Sequence, residues 1–203
     1  MFGRLFVISG PSGAGKGTIC SELMKTGKFD LSVSMTTRAM REGEVDGESY
    51  FFVSKEQFEQ TIKDGGLLEY TQIYGNYYGT PKAYVMEKLS QGKDILLEIE
   101  MEGASNIKRA YNDAVLIFVL PPNLKVLKER LSARGTDSSD QIALRSSAAL
   151  DEIARVVDYD YFVINDDLDK AVSTVKDIIA GNGKNNMVGP NAVSIVLKYK
   201  EEE

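Results

Sequence analysis

Residues 10–18 read Gly-Pro-Ser-Gly-Ala-Gly-Lys-Gly-Thr and follow directly on the apolar run Leu5–Ser9. This order of residue types suits a loop that wraps phosphate. Gly10, Gly13 and Gly15 allow sharp backbone turns that aim N–H groups inward at anionic oxygens. Lys16 supplies a point charge for β- and γ-phosphates, and the helix predicted from Thr18 to Met24 offers its positive N-terminal end. The strict pattern places Ser or Thr right after the lysine; here Gly17 intervenes before Thr18.

A second cluster lies in Ser34-Met-Thr-Thr-Arg38 followed by Arg41-Glu-Gly-Glu44. Two guanidinium forks on one loop beside hydroxyls suit a phosphate monoester dianion. Tyr50 and Tyr78 can add hydroxyl donors to the same oxygens. Arg38 and Arg41 taken alone read equally well as a solvated basic loop. A third cluster, Arg130, Arg134 and Arg145, surrounds the loop Gly135–Asp140. Arg130 and Arg134 share a helix face, with Leu124, Leu127 and Leu131 marking the buried stripe. On spacing alone such arginines are solvated. Glu98-Ile-Glu100 would set two carboxylates on one face of a strand.

Elements that could position these groups are legible. Strand-length apolar runs recur at Leu5–Ser9, Leu31–Met35, Ile95–Ile99, Val115–Leu120 and Tyr161–Ile164. Most are too continuous to face water on one side, as in a buried parallel sheet. Helices alternate with them. Ser54-x-x-Gln57 forms a capping box for a helix through Lys63. Thr80-Pro81 reads as an N-cap and first-turn proline for a helix ending near Gly92. Asn123 can cap Leu124–Arg134, stopped by Gly135. Asp140–Asp158 is mostly helical, with Ile142, Ala149, Ile153 and Val156 on one face. Asp169–Ala180 closes on Gly181. This alternation defines an α/β fold with a parallel sheet.

Two segments break the rhythm. Residues 33–90 carry strand-like pieces at Tyr50–Val53, Leu67–Gln72 and Tyr74–Tyr78, and read as an insertion with its own small sheet. Residues 124–150 read as a helical lid. The core is then 1–32, 91–123 and 151–203, in one folding domain. Asn182–Asn191 reads as loop, and Ala192–Tyr199 fits either an edge strand or a short helix.

The 203 residues carry a net charge of −6. That balance argues against nucleic acid as a main partner, since backbone recognition needs a basic surface. The single cysteine, Cys20, precludes an internal disulfide and reads as a small buried hydrophobe. No apolar run approaches membrane-spanning length and no signal region opens the chain, so a soluble cytoplasmic protein is expected. The chain has no histidine, which excludes imidazole chemistry but not phosphoryl transfer.

Six motifs in register, from residue 4 to about 180, resemble guanylate kinase. They are Gly10-Pro-Ser-Gly-Ala-Gly-Lys16, Ser34-x-x-Thr-Arg38-x-x-Arg41-x-Gly-Glu44, Gly47-x-x-Tyr50-x-Phe52, Gly75-Asn-Tyr-Tyr78-Gly-Thr80, Arg130-x3-Arg134-Gly135 and Val163-Ile-Asn165-Asp-Asp. The resemblance implies a P-loop core with a five-stranded parallel sheet flanked by helices, a small mixed α/β GMP-binding insertion and a helical lid. It implies transfer of the ATP γ-phosphoryl to GMP, with dGMP as a further acceptor and Mg²⁺ as cofactor.

Roles follow from the same resemblance. Ser12, Gly13, Ala14, Gly15, Lys16, Gly17 and Thr18 would hold the phosphates of ATP, with Arg134 and Asn165 bordering its adenine. Ser34, Glu69, Thr80 and Glu100 map onto the guanine pocket. Arg38, Arg41, Tyr50 and Tyr78 map onto the GMP phosphate site, with Glu44 orienting an arginine or tyrosine. Arg130, Arg134 and Arg145 would join Lys16 and Arg38 in catalysis. The family usually shows Asp-x-Asp where this chain has Glu98-Ile-Glu100. Glu98 would border GMP together with Glu100, and Glu98 and Thr18 would attend the metal, mostly through water. A ribose bisphosphate kinase and a non-catalytic phosphopeptide-binding module are the alternatives. Retained lid arginines and the Ser34/Glu69 pair oppose them. Oligomeric state, monomer or homodimer, is left open.

Overall fold

The computed structural model describes residues 2–73, 75–133 and 149–201. Five strands form a parallel sheet: β1 (Leu5–Ser9), β2 (Asp30–Leu31), β7 (Ile95–Glu98), β8 (Val115–Leu120) and β9 (Tyr161–Ile164), in the order β2-β7-β1-β8-β9. A second sheet of order β4-β3-β6-β5 contains β3 (Met35–Thr36), β4 (Phe51–Phe52), β5 (Leu67–Ile73) and β6 (Asn76–Pro81). The helices are α1 (Lys16–Lys25), α2 (Lys55–Lys63), α3 (Lys82–Ser90), α4 (Met101–Ala110), α5 (Leu124–Ala133), α6 (Leu168–Ile179) and α7 (Val188–Lys200). A further helical stretch, 149–154, runs into a 3₁₀ turn at Arg155–Asp158.

The chain divides into two compact units, Met1–Val7 with Gly27–Ala114 and Ile8–Thr26 with Val115–Glu203. In the first, β5 and β6 pair antiparallel, β6 pairs antiparallel with β3, and β3 lies parallel to β4. Opposed residues of such pairs share a sheet face. One face packs on α2, where Phe58 is fully buried and stacks on Tyr77 at 5.1 Å. The other packs on α4 through Gly103 and Glu69. In the second unit β8 and β9 run parallel in register from Ile117↔Tyr161 to Leu120↔Ile164. Leu116–Leu120 are all buried, which explains their unbroken apolar run.

Several boundaries follow local chemistry. Ser54 accepts from the Gln57 N–H at 3.2 Å while Gln57 Oε1 accepts from the Ser54 N–H at 2.8 Å, completing the expected capping box. Asn123 Oδ1 accepts from the Val126 N–H at 2.8 Å and opens α5; Arg134 and Gly135 lie outside the described residues. Leu124, Leu127 and Leu131 are buried as expected. So are Ala149, Ile153 and Val156; residues 140–148, with Ile142, lie outside the described residues.

Four expectations need correction. Leu31–Met35 is not one strand: Asp30–Leu31 pairs with β7, whereas Met35–Thr36 pairs with β4 and β6. Thr80 is not a helix cap, because it lies inside β6 opposite Glu69 and Pro81 takes the cap position. Asn182–Asn191 is not all loop, since α7 begins at Val188 and places Pro190 in its first turn, where no intrahelical N–H is needed. Ala192–Tyr199 is therefore helix. Finally, β7 stops at Glu98, and Glu100 is the N-cap of α4 rather than a strand residue.

Candidate active site

The phosphate loop joins β1 to α1 within the second unit. Its last residue, Gly15, caps α1 with φ 92 in the left-handed region and offers no side-chain acceptor to the first-turn N–H groups. Those donors are free to face an anion. A side chain at Gly15 would also strike the Asn165 amide, and one at Gly10 would strike the Val119 carbonyl. Lys16 Nζ bridges the loop, donating to the Gly10 carbonyl at 2.7 Å and the Pro11 carbonyl at 3.3 Å. The ammonium is thus held at the loop itself.

Asn165, at the end of β9, is buried and donates through Nδ2 to the Ala14 carbonyl at 2.8 Å. Its own carbonyl accepts from the Arg130 guanidinium at 3.0 Å, and Arg130 also reaches the Ala14 carbonyl at 3.5 Å. Arg130 is therefore fastened beside the loop rather than solvated. These groups line a cavity of about 360 Å³ with Gly13, Gly15, Thr18, Asp166 and Leu168. Asp166 and Leu168 were not singled out from the sequence; the Asn165-Asp-Asp run directly after an apolar strand was the available signal. Arg134 and Arg145 lie outside the described residues.

The first unit holds the second cluster. Arg38 pairs with Glu44 through two bonds of 2.6 and 3.0 Å, and its guanidinium lies over Tyr50 and Phe52 at 5.4 and 5.7 Å. The Arg38 bond holds the Glu44 carboxyl below its ordinary range and lifts the guanidinium above its own. The Arg41 N–H also donates to Glu44 at 2.8 Å, while the Arg41 residue is exposed. Glu44 thus organises both arginines, Arg38 by its side chain and Arg41 by its backbone. Tyr50 and Tyr78 meet edge to face at 6.1 Å. Burial, with the negative charges of Glu98 and Glu100 nearby, pushes the Tyr50 hydroxyl up to about 12, so it remains a proton donor at neutral pH.

The register brings two of the guanine-pocket candidates side by side. Glu69 pairs with Thr80 across β5 and β6, and Met35 pairs with Gly79 across β3 and β6. Thr80 and Glu69 therefore share one face, and Tyr78, two residues before Thr80, shares it too. Ser34 directly precedes β3, and its carbonyl accepts from the Phe51 N–H at 2.9 Å. Glu69 is only 7% exposed and its Oε1 accepts from Thr80 Oγ1 at 2.7 Å. Burial raises its carboxyl to about 7. A buried carboxylate with one hydroxyl partner has acceptor capacity left over for a ligand's N–H groups.

A glycine-rich loop leading from a parallel strand into a helix, with a lysine and an arginine at its mouth, defines a P-loop nucleotide-binding protein. The family model described as guanylate kinase matches residues 2–182. A guanylate kinase of Clostridioides difficile (strain 630) is 52% identical over 201 residues, covering 98% of this chain and 97% of that protein. One of Streptococcus thermophilus (strain CNRZ 1066) is 53% identical over 179 residues, covering 87% and 86%. The crystal structure of guanylate kinase from Anaplasma phagocytophilum superimposes with a TM-score of 0.75 at 29% identity, covering 90% of this chain and 87% of that one. The chain belongs to the guanylate kinase family.

Proposed function

We propose that the chain transfers the γ-phosphoryl group of ATP to GMP, yielding ADP and GDP. The observation that carries the choice of acceptor is the buried Glu69 carboxylate bound to Thr80. A carboxylate at that position accepts the paired N1–H and N2–H of guanine. Adenine offers neither donor and would leave the buried carboxylate unpaired, a mismatch that can cost about 10⁴-fold. Ser34 and Glu100 complete the base pocket in this reading, which extends to dGMP.

Arg38, Arg41, Tyr50 and Tyr78 would bind the GMP phosphate, with Glu44 holding Arg38 ready. Residues Ser12 to Thr18 would bind the ATP phosphates through backbone N–H groups, the Lys16 ammonium and the Thr18 hydroxyl. Asn165 and Arg134 would border the adenine. A GMP phosphate oxygen attacks the γ-phosphorus in line as the bond to the β-phosphate oxygen breaks. That oxygen is already ionised at neutral pH, so no general base is required, in keeping with a chain that lacks histidine. Catalysis then rests on alignment and charge: Lys16 on the leaving side, Arg38 on the acceptor, and Arg130 with Arg134 and Arg145 on the transferring group.

The donor set suits a magnesium ion carried on the nucleotide. No group of three or more acidic or thiol ligands is poised for a metal among the described residues. An ion held by phosphates keeps several waters and needs only one or two protein oxygens. Thr18 and Glu98 would hold it, mostly through water, and the ion would neutralise phosphate charge. Residues 33–90 act as the GMP-binding insertion and 124–150 as the lid in this reading, the remainder being core. The protein works in the cytoplasm, without nucleic acid or membrane. No helix among the described residues is long and apolar enough to cross a membrane. The test is ADP release from Mg-ATP with GMP, AMP, UMP, CMP or no acceptor. Rapid release with GMP alone supports the proposal; equal rates with the other nucleotides would overturn the guanine pocket.

A further inference from the structure

Gly103 is the third residue of α4 and faces β5. Its backbone is helical and is not among the positive-φ glycines, so glycine is not needed there for a left-handed conformation. Within a helix glycine is less favourable than alanine. What glycine supplies is space. A methyl group at this position would stand 2.6 Å from Glu69 Oε2 and 3.2 Å from its Cδ, against 3.4 Å from Ile99 Cδ1. The crowding therefore falls on the carboxylate and little else.

The other carboxylate oxygen, Oε1, accepts from Thr80 Oγ1. Glu69 is thus held between the Thr80 hydroxyl on its own sheet and the bare backbone of α4. We infer that Gly103 is a specificity-determining position for the acceptor base, because its missing side chain sets where the Glu69 carboxylate rests. This inference rests on the reading of Glu69 as the group that recognises guanine.

The physical consequence is a separation of fold from recognition. Oε2 is the far end of a flexible side chain, so a methyl at residue 103 displaces it by rotation and leaves the backbone in place. Thr80 meanwhile retains Oε1, so the carboxylate tilts instead of translating. Recognition of two parallel N–H groups needs both oxygens in one plane with the base. A tilt weakens at least one charge-assisted hydrogen bond, while alanine favours the helix.

The experiment compares Gly103→Ala with the unsubstituted protein by steady-state kinetics and thermal unfolding. The expected result is a KM for GMP raised about tenfold or more and a GMP-over-AMP preference in kcat/KM reduced by a similar factor. The KM for ATP and the melting temperature hold or, for the latter, rise. A KM for GMP and a preference within about twofold of the unsubstituted protein would overturn the inference. Glu69→Ala is measured alongside. If it weakens GMP and Gly103→Ala does not, the inference fails while the reading of Glu69 stands; if Glu69→Ala leaves GMP unaffected, both fail. The double variant adds the decisive readout. Gly103→Ala should cause no further loss once Glu69 is alanine, whereas an additive loss would assign the effect to packing and refute the inference.

Discussion

Replacing Glu69 by glutamine removes a titrating group from the proposed base pocket while keeping an acceptor for Thr80. The carboxyl rises from 4.5 to about 7, chiefly through burial, with Glu102 adding repulsion and the Thr80 bonds opposing. The native state therefore holds a proton that the unfolded chain releases between these values. A raised carboxylate makes the ligand-free fold lose stability as pH rises through that window. With each tenfold change in proton affinity worth about 1.36 kcal/mol, the loss between about pH 5 and about pH 8 is about 2 kcal/mol. Glutamine does not titrate, so Glu69→Gln should lack this part of the slope, whatever its own amide costs at fixed pH. The assay is denaturant unfolding of both proteins at several pH values without nucleotide. The two stability curves should diverge by about that amount across the window. Parallel curves would refute the burial argument. If Glu69 reads guanine as proposed, GMP takes the ionised form and should bind about tenfold more weakly at pH 6 than at pH 8 for this reason alone. Glu69→Gln should retain only the part due to the GMP phosphate, whose second ionisation lies near pH 6.

Lys16→Ala should lower turnover at least about tenfold, a loss of about 1.4 kcal/mol or more, measured by coupled ADP release; near-normal turnover would remove the lysine from the mechanism. Glu44→Gln weakens the paired bonds that hold Arg38 over Tyr50. It should raise the KM for GMP several-fold more than it changes the KM for ATP. Tyr199, buried in α7, donates its hydroxyl to the Pro121 carbonyl just ahead of α5, so Tyr199→Phe should cost about 1 kcal/mol in denaturant unfolding.

Much of the candidate site is legible because its chemistry is local in sequence. The Gly10–Thr18 loop, the Arg38–Glu44 loop and the Ser54–Gln57 cap each declare themselves within nine residues. What escaped was decided by pairing across the chain. An apolar run does not say which sheet it joins, so the break at Ser32–Ser34 between β2 and β3 was invisible. Thr80 carries a cap-like Thr-Pro signal, but its strand partner Glu69 outbids the helix for its hydroxyl. Arg130 has the spacing of a solvated residue; only the carbonyls of Ala14 and Asn165 show it fastened beside the loop. Gly103 has no signal at all without Glu69 across from it.

In the proposed reaction phosphoryl passes from ATP to GMP, with the acceptor chosen by its guanine base. The most direct measurement uses ATP labelled in its γ-phosphate, with GMP present in slight excess, and follows the label by chromatography. The label should appear in GDP in step with ADP formation, with little free phosphate and almost no turnover when GMP is omitted. Label released as inorganic phosphate, or retained in ATP while GMP is bound, would contradict it.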